Sequence, residues 1–136
     1  MATILAHIQI KPGAEAAFEN TARAMHEASH GRETALRRYE YWRGQKQGYY
    51  YCLLAFDDFR GFMAHQTSPH HEAAAAPLME SIADLKLEWL DPVPGASDLA
   101  SSQPQAIADD ANELTKRYAE IFPVALAEWW APLRTI

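Results

Sequence analysis

The sequence predicts an α+β fold, a four-stranded antiparallel sheet with its helices on one face. Three observations predict it. Residues 3–10 alternate apolar and polar side chains with period two, residues 14–31 repeat apolar side chains at helical spacing, and the apolar runs that follow are again strand, strand, helix and strand. A strand-helix-strand unit occurring twice in a short chain packs most simply as one sheet with both crossovers on the same side.

The first strand runs from Thr3 to Ile10, with Ile4, Ala6, Ile8 and Ile10 on one face and Thr3, Leu5, His7 and Gln9 on the other. Pro12 and Gly13 stop it. From Ala14 the positions Ala14, Phe18, Ala22 and Met25 share a helical face until Gly31 ends the run. Two aromatic-rich segments, Leu36 to Gln45 and Gly48 to Phe56, flank a short polar stretch as in a hairpin. Asp57 or Asp58 can cap a short helix bearing Phe59, Phe62 and Met63, and Ser68 with Pro69 supplies the cap and first turn of another. Pro77 is expected to kink or restart that helix. Residues 84–91, where Leu85, Leu87 and Trp89 alternate with Lys86 and Glu88, supply the fourth strand. The result is a ferredoxin-like domain over residues 1–92. Its uncovered face is expected to be aromatic, drawn from Tyr49 to Tyr51 and from Tyr39, Tyr41 and Trp42. Such a face in water is an association site, so a homodimer is expected in which two sheets cover each other as a dimeric α+β barrel.

From 93 to 105 the composition shifts to Pro, Gly, Ser and Ala, which predicts a linker. Residues 106–136 are expected to form a helical extension. Ile107, Ala111, Leu114, Tyr118, Ile121 and Phe122 make one amphipathic stripe before Pro123, and a second short turn carries Leu126, Trp129 and Trp130.

With 49% hydrophobic residues the 136-residue chain can bury a core, which excludes disorder over most of its length. A net charge of -6 argues against nucleic acid or an anionic membrane surface as partner. The longest apolar run, Tyr49 to Phe56, is far short of the roughly 18 residues that span a bilayer. The one cysteine, Cys52, has no partner for an internal disulfide and is expected to be an inert mid-strand thiol, which fits a cytoplasmic protein.

The segment Ala55-Phe56-Asp57-Asp58-Phe59-Arg60-Gly61-Phe62-Met63-Ala64-His65-Gln66-Thr67-Ser68-Pro69-His70-His71 places an aromatic residue after the third strand, a short helix ending in Ala-His, then Ser and His opening the next helix. Together with the Lys11-Pro12-Gly13 turn and Phe18, it resembles the antibiotic biosynthesis monooxygenase family, dimeric α+β barrels that include quinol monooxygenases. The resemblance covers about the first 92 residues. Two positions depart from the family pattern: Leu54 or Ala55 replaces an acidic residue late in the third strand, and Glu33-Thr34-Ala35 replaces a Glu-Pro-Gly turn. The resemblance implies oxygenation of a quinol or polyphenol by dioxygen with no flavin, haem or metal cofactor. Such chemistry needs a pocket, a proton acceptor and donors that hold the substrate anion. His65, at the helix end facing the sheet, is the first candidate for the proton step and His7 the second. Trp42, Tyr51, Arg43 and His70 are candidate substrate contacts. The competing reading makes the strand aromatics packing residues, and His70 and His71 exposed residues of a first helical turn.

Other chemistries compete. His26-Glu27-Ala28-Ser29-His30 matches the H-E-x-x-H zinc-hydrolase signature, but Gly31 is expected to end the helix there and no third ligand is indicated. In a haem-degrading relative of the fold, His65 would take the place of a tryptophan and Ala75 that of the axial ligand, so the haem reading loses its key group. A non-catalytic small-molecule binding or interaction protein of the same fold is the remaining alternative.

Overall fold

The computed structural model describes residues 1–134. The chain runs β1 (Ala2–Ile10), α1 (Glu15–Arg32), β2 (Leu36–Arg43), β3 (Tyr49–Phe56), α2 (Phe59–Gln66), α3 (Pro69–Ser81), β4 (Ile82–Trp89) and α4 (Glu113–Ile121), then a 3-10 turn at Glu128–Leu133. All strand pairs are antiparallel, in the order β2-β3-β1-β4. This is the ferredoxin-like arrangement. The sheet is not closed within the chain: β2 and β4 are its edges. No helix among the described residues is long and apolar enough to cross a membrane.

The even positions of β1 meet the helices, and the core forms around Ile4, Ile8, Phe18, Phe56 and Phe62. In α1 the buried residues Phe18, Ala22, Met25 and Ser29 recur at three- and four-residue spacing, one stripe against the sheet. Gly31 does not stop this helix; it runs on to Arg32, where the N–H of Glu33 bonds the Ser29 carbonyl. Pro77 does not break α3 either. It lies on the exposed side, so the Ala73 carbonyl it leaves without a donor also faces water. Gly48, at φ +81°, turns the hairpin between β2 and β3 where a side chain would be strained.

Three residues expected on the open face need correction: Tyr39, Tyr41 and Tyr50, the last being buried with its ring 4.8 Å from Phe18 of α1. Tyr39 and Tyr41 pair with Leu54 and Cys52 and lie on the helix-covered face, not the open one. The β2 register shifts between Leu36 and Arg38, which sets the side-chain alternation of the following residues. Trp42 and Tyr51 do lie on the open face, 60% and 38% exposed.

Gly61 in α2 is constrained by contact rather than dihedral. A Cβ there would sit 2.8 Å from the Ala35 Cβ and 3.4 Å from the Phe56 Cβ. Gly61→Ala is expected to cost about 1–3 kcal/mol by overpacking, measurable by urea denaturation.

The chain beyond β4 folds back on the domain. Residues 93–105, expected as a linker, contain no helix or strand and are tied down: Arg38 pairs with Asp98 at 2.7 Å, and Met1 exchanges backbone bonds with Ser101 and Gln103. Ser102 is fully buried, its hydroxyl donating to the Leu90 carbonyl at 2.7 Å and accepting from the Thr3 N–H at 3.3 Å. The helix expected from Ile107 begins only at Glu113, because the Asn112 side chain accepts from the Thr115 N–H and caps it there. Arg134 then grips Asp91 through two bonds of 2.9 Å. Thr135 and Ile136, the last residues of the expected extension, lie outside the described residues.

Candidate functional site

A cavity of ≈ 200 Å³ lies between the covered sheet face and the helices α2, α3 and α4. Aliphatic side chains make most of its wall, while Tyr39, Tyr41, His65 and His71 supply polar atoms and Tyr118 of α4 with Phe122 at its C-cap close one side. This composition, apolar with a few convergent polar groups, is that of a small-molecule site.

Local structure puts His65 there. The Asp58 carboxylate accepts from the Gly61 N–H at 2.8 Å and fixes the start of α2, and the 3.6-residue repeat then carries Phe62 and His65 onto the buried face. The imidazole is 1% exposed. Its Nδ1 lies 2.9 Å from Oε1 and 3.2 Å from Oε2 of Glu33, the residue that follows α1. The same Oε1 is 2.6 Å from Nε2 of His70, which is also 3.2 Å from the Ser29 hydroxyl. Burial would raise the Glu33 carboxyl, yet the hydrogen bonds and charge of His65 and the hydrogen bonds of His70 and Ser29 together outweigh it and hold the acid below its ordinary range. An ionised Glu33 accepts the hydrogen of His65 Nδ1, which assigns the lone pair to Nε2. That nitrogen has no hydrogen-bond partner among the described residues.

The neighbouring polar atoms suit an aromatic guest. Tyr39 and Tyr41 join hydroxyls at 2.7 Å, and burial raises both phenols far above their ordinary value, so they remain protonated. The Tyr39 ring stands edge-on to His65 at 5.0 Å. His71 is 5.2 Å from His65, its buried Nδ1 has no hydrogen-bond partner, and burial followed by the charge of His65 pushes it down to about 4. A neutral imidazole with an unmet polar atom can bond a ligand hydroxyl. Cys52 also borders the cavity, with a thiol that burial pushes up to about 12, so it offers no thiolate near neutrality.

The structure separates several residues that the sequence groups together. His7 lies on the open sheet face, 2.8 Å from Glu88 and edge-on to Tyr51, with Trp42 on the same face. Arg43 is tied to Glu19 at 2.7 Å in a shallow groove along α1 and β2 and does not reach the cavity. His70 is close to His65, but through Glu33, and it is nearly buried where a first-turn histidine is expected to be exposed. The HEASH histidines do come together, with the His26 and His30 rings 4.1 Å apart, but His30 Nε2 is 3.1 Å from the Tyr39 carbonyl oxygen and no third ligand joins them among the described residues. Among the described residues the one potential metal-ligating cluster is Glu33, His65 and His70, whose donor atoms lie within 4.8 Å of one another.

Glu33 and the orphan nitrogen of His71 are the functional features that sequence reasoning missed. Glu33 had one signal, its place in the turn before β2. His71 had none.

The sequence model of the antibiotic biosynthesis monooxygenase family matches residues 1–77. No curated protein sequence matches significantly. Among solved structures, a candidate antibiotic biosynthesis monooxygenase from Caulobacter crescentus is 21% identical, with a TM-score of 0.64 over 68% of this chain and 89% of its own. A Mycobacterium tuberculosis protein is also 21% identical, at 0.64 over 71% and 98%. A third, a candidate antibiotic biosynthesis monooxygenase from Nitrosomonas europaea, is 18% identical at 0.64 over 68% and 99%. These likenesses establish the fold, and the match over more than half of the chain establishes that it belongs to the antibiotic biosynthesis monooxygenase family.

Proposed function

We propose that the protein is a cofactor-independent monooxygenase that oxidises a small quinol or polyphenol in the cavity beside His65, and that it works as a homodimer. The observation that carries this reading is the state of one imidazole: His65 is buried at the cavity wall, held through Nδ1 by an ionised carboxylate, with Nε2 unbonded. That is the arrangement of an oriented general base. His65 takes a proton from the substrate hydroxyl, and the electron-rich anion passes one electron to dioxygen. The radical pair combines at a ring carbon as a peroxide anion, His65 returns its proton to make the hydroperoxide, and loss of water converts that C–H to C=O. The balance is one substrate and one O₂ to one quinone-type product and one water. The hydrogen left free by the Tyr39–Tyr41 hydroxyl pair and the N–H of a neutral His71 serve as the donors that hold the anion.

In this reading Trp42, Tyr51 and His7 serve the dimer, which brings two open sheet faces together and completes a barrel, while His70 steadies Glu33. The Glu33, His65 and His70 donors support one second reading, a divalent ion held at that cluster. Oxygen-electrode assays with one- and two-ring quinols, alongside sedimentation and elemental analysis of the untagged protein, test all three points. Oxygen uptake equal to quinol consumed, by a metal-free dimer, is the expected result. Binding without uptake above autoxidation overturns the catalytic reading in favour of a ligand-binding protein, and stoichiometric metal replaces the hydrogen-bonded base with a metal centre.

A further inference from the structure

The family match ends at residue 77, yet one wall of the cavity comes from beyond it. Tyr118 of α4 and Phe122, which caps the end of that helix one turn later, lie with nearly parallel rings, 12° between planes, and both border the cavity. They are held from several directions. The Tyr118 hydroxyl donates to Glu72 at 2.5 Å, its ring meets the edge of His71 at 5.8 Å, and Phe122 lies 6.4 Å from Phe62. Past the helix the Trp89 indole N–H donates to the Pro123 carbonyl at 3.1 Å, and the Arg134 pair with Asp91 secures the end of the described chain. A wall so fastened does not swing aside for a larger guest without breaking these bonds and the ring packing together.

We propose that this wall makes Tyr118 and Phe122 the specificity-determining residues of the cavity, limiting its guest to one or two fused aromatic rings. The argument is one of volume. A dry cavity of about 150 Å³ accepts benzene, so ≈ 200 Å³ takes a substituted single ring or a compact bicycle, and a linear tricycle runs into α4. The limit falls on the α4 side because the sheet residues Ala6, Cys52 and Leu54 belong to the tightly packed core, while the exposed Met79 and Leu85 mark the mouth through which a guest enters. The inference rests on the aromatic-substrate part of the proposed function and not on turnover.

Fluorescence titration with 4-methylphenol, 1-naphthol and 1-anthrol tests it on the full chain. Wild-type protein is expected to bind 1-naphthol at least about tenfold more tightly than 1-anthrol. Phe122→Ala and the Tyr118→Ala/Phe122→Ala double variant are expected to collapse that ratio by admitting the third ring. Tyr118→Phe, which removes the bond to Glu72 and keeps the ring, is expected to preserve it. Should the double variant fail to melt cooperatively, Phe122→Val carries the same prediction with less volume removed. Equal wild-type affinity for the two- and three-ring phenols, or an unchanged ratio in a cooperatively folded Phe122 variant, overturns the size filter. Failure to bind all three phenols overturns both the filter and the aromatic-substrate reading. Size-selective binding without oxygen uptake overturns catalysis and leaves the filter standing.

Discussion

Replacing His65 by alanine is expected to lower kcat for quinol oxidation at least about 100-fold, the ordinary contribution of a positioned general base, while the dimer remains intact in sedimentation. Three features lead to that expectation. The imidazole borders the cavity, its Nδ1 is occupied by Glu33, and the remaining nitrogen is not used by the protein. Glu33→Gln is expected to reduce kcat less, and kcat more than KM, because Glu33 acts through His65 without touching the substrate. An amide keeps the size of the carboxylate but loses the negative charge that holds the Nδ1 hydrogen and stabilises the imidazolium as it forms. A purely structural Glu33 would lower the melting temperature of the glutamine variant and leave the kcat/KM pH profile unmoved. A changed profile in a stable variant identifies a positioning residue. Full activity in His65→Ala would remove this residue from the proton step and turn attention to His71, the other cavity histidine.

How far the sequence discloses this site depends on the range of the interaction. His65 is legible because its signals are local: Asp58 caps α2, and the helical repeat sets the residue's face. Its partner is not, because Glu33 lies 32 positions upstream and meets it only after α1 and α2 have both docked on the sheet. The same division explains the aromatic residues. Alternation finds the strands, but the register shift between Leu36 and Arg38 governs whether Tyr39 and Tyr41 face the helices or water, and a binary pattern rich in aromatics on both faces contains no cue to that shift. In the tail, the stripe from Ile107 to Phe122 is visible as an apolar pattern. Its first third is nonetheless irregular, with a turn at Asp109 and Asp110, because Asn112 offers a stronger helix start, and its docking against α2 and the cavity depends on contacts with Phe62, Glu72 and Trp89. Tertiary partners decide what local periodicity leaves open.

The largely buried His71, which the sequence places in an exposed first turn, also makes the clearest prediction about stability. His71 packs against His65 and Tyr118 and is near His70, Glu33 and Glu72; burial and then the positive charge of His65 push it down to about 4 from an ordinary 6.5. Between those values the unfolded chain takes up a proton that the folded protein refuses, so stability falls as pH falls through this window. Above pH 6.5 both states are neutral at this site, and below about 4 both are charged, so the effect is confined between them. The displacement corresponds to about 3 kcal/mol when complete. Glu33, whose carboxyl is held below its ordinary value of 4.5, acts in the same direction but at lower pH, since its contribution is present above the unfolded value and fades only as the folded group takes up its proton. The two are therefore separable. Urea unfolding at pH 7, 6, 5 and 4.5 is expected to give a steady decline in wild type and a nearly flat profile in His71→Gln, which keeps a polar side chain without the charge. Equal declines in the two proteins would exclude His71 as the source and assign the acid sensitivity to other groups.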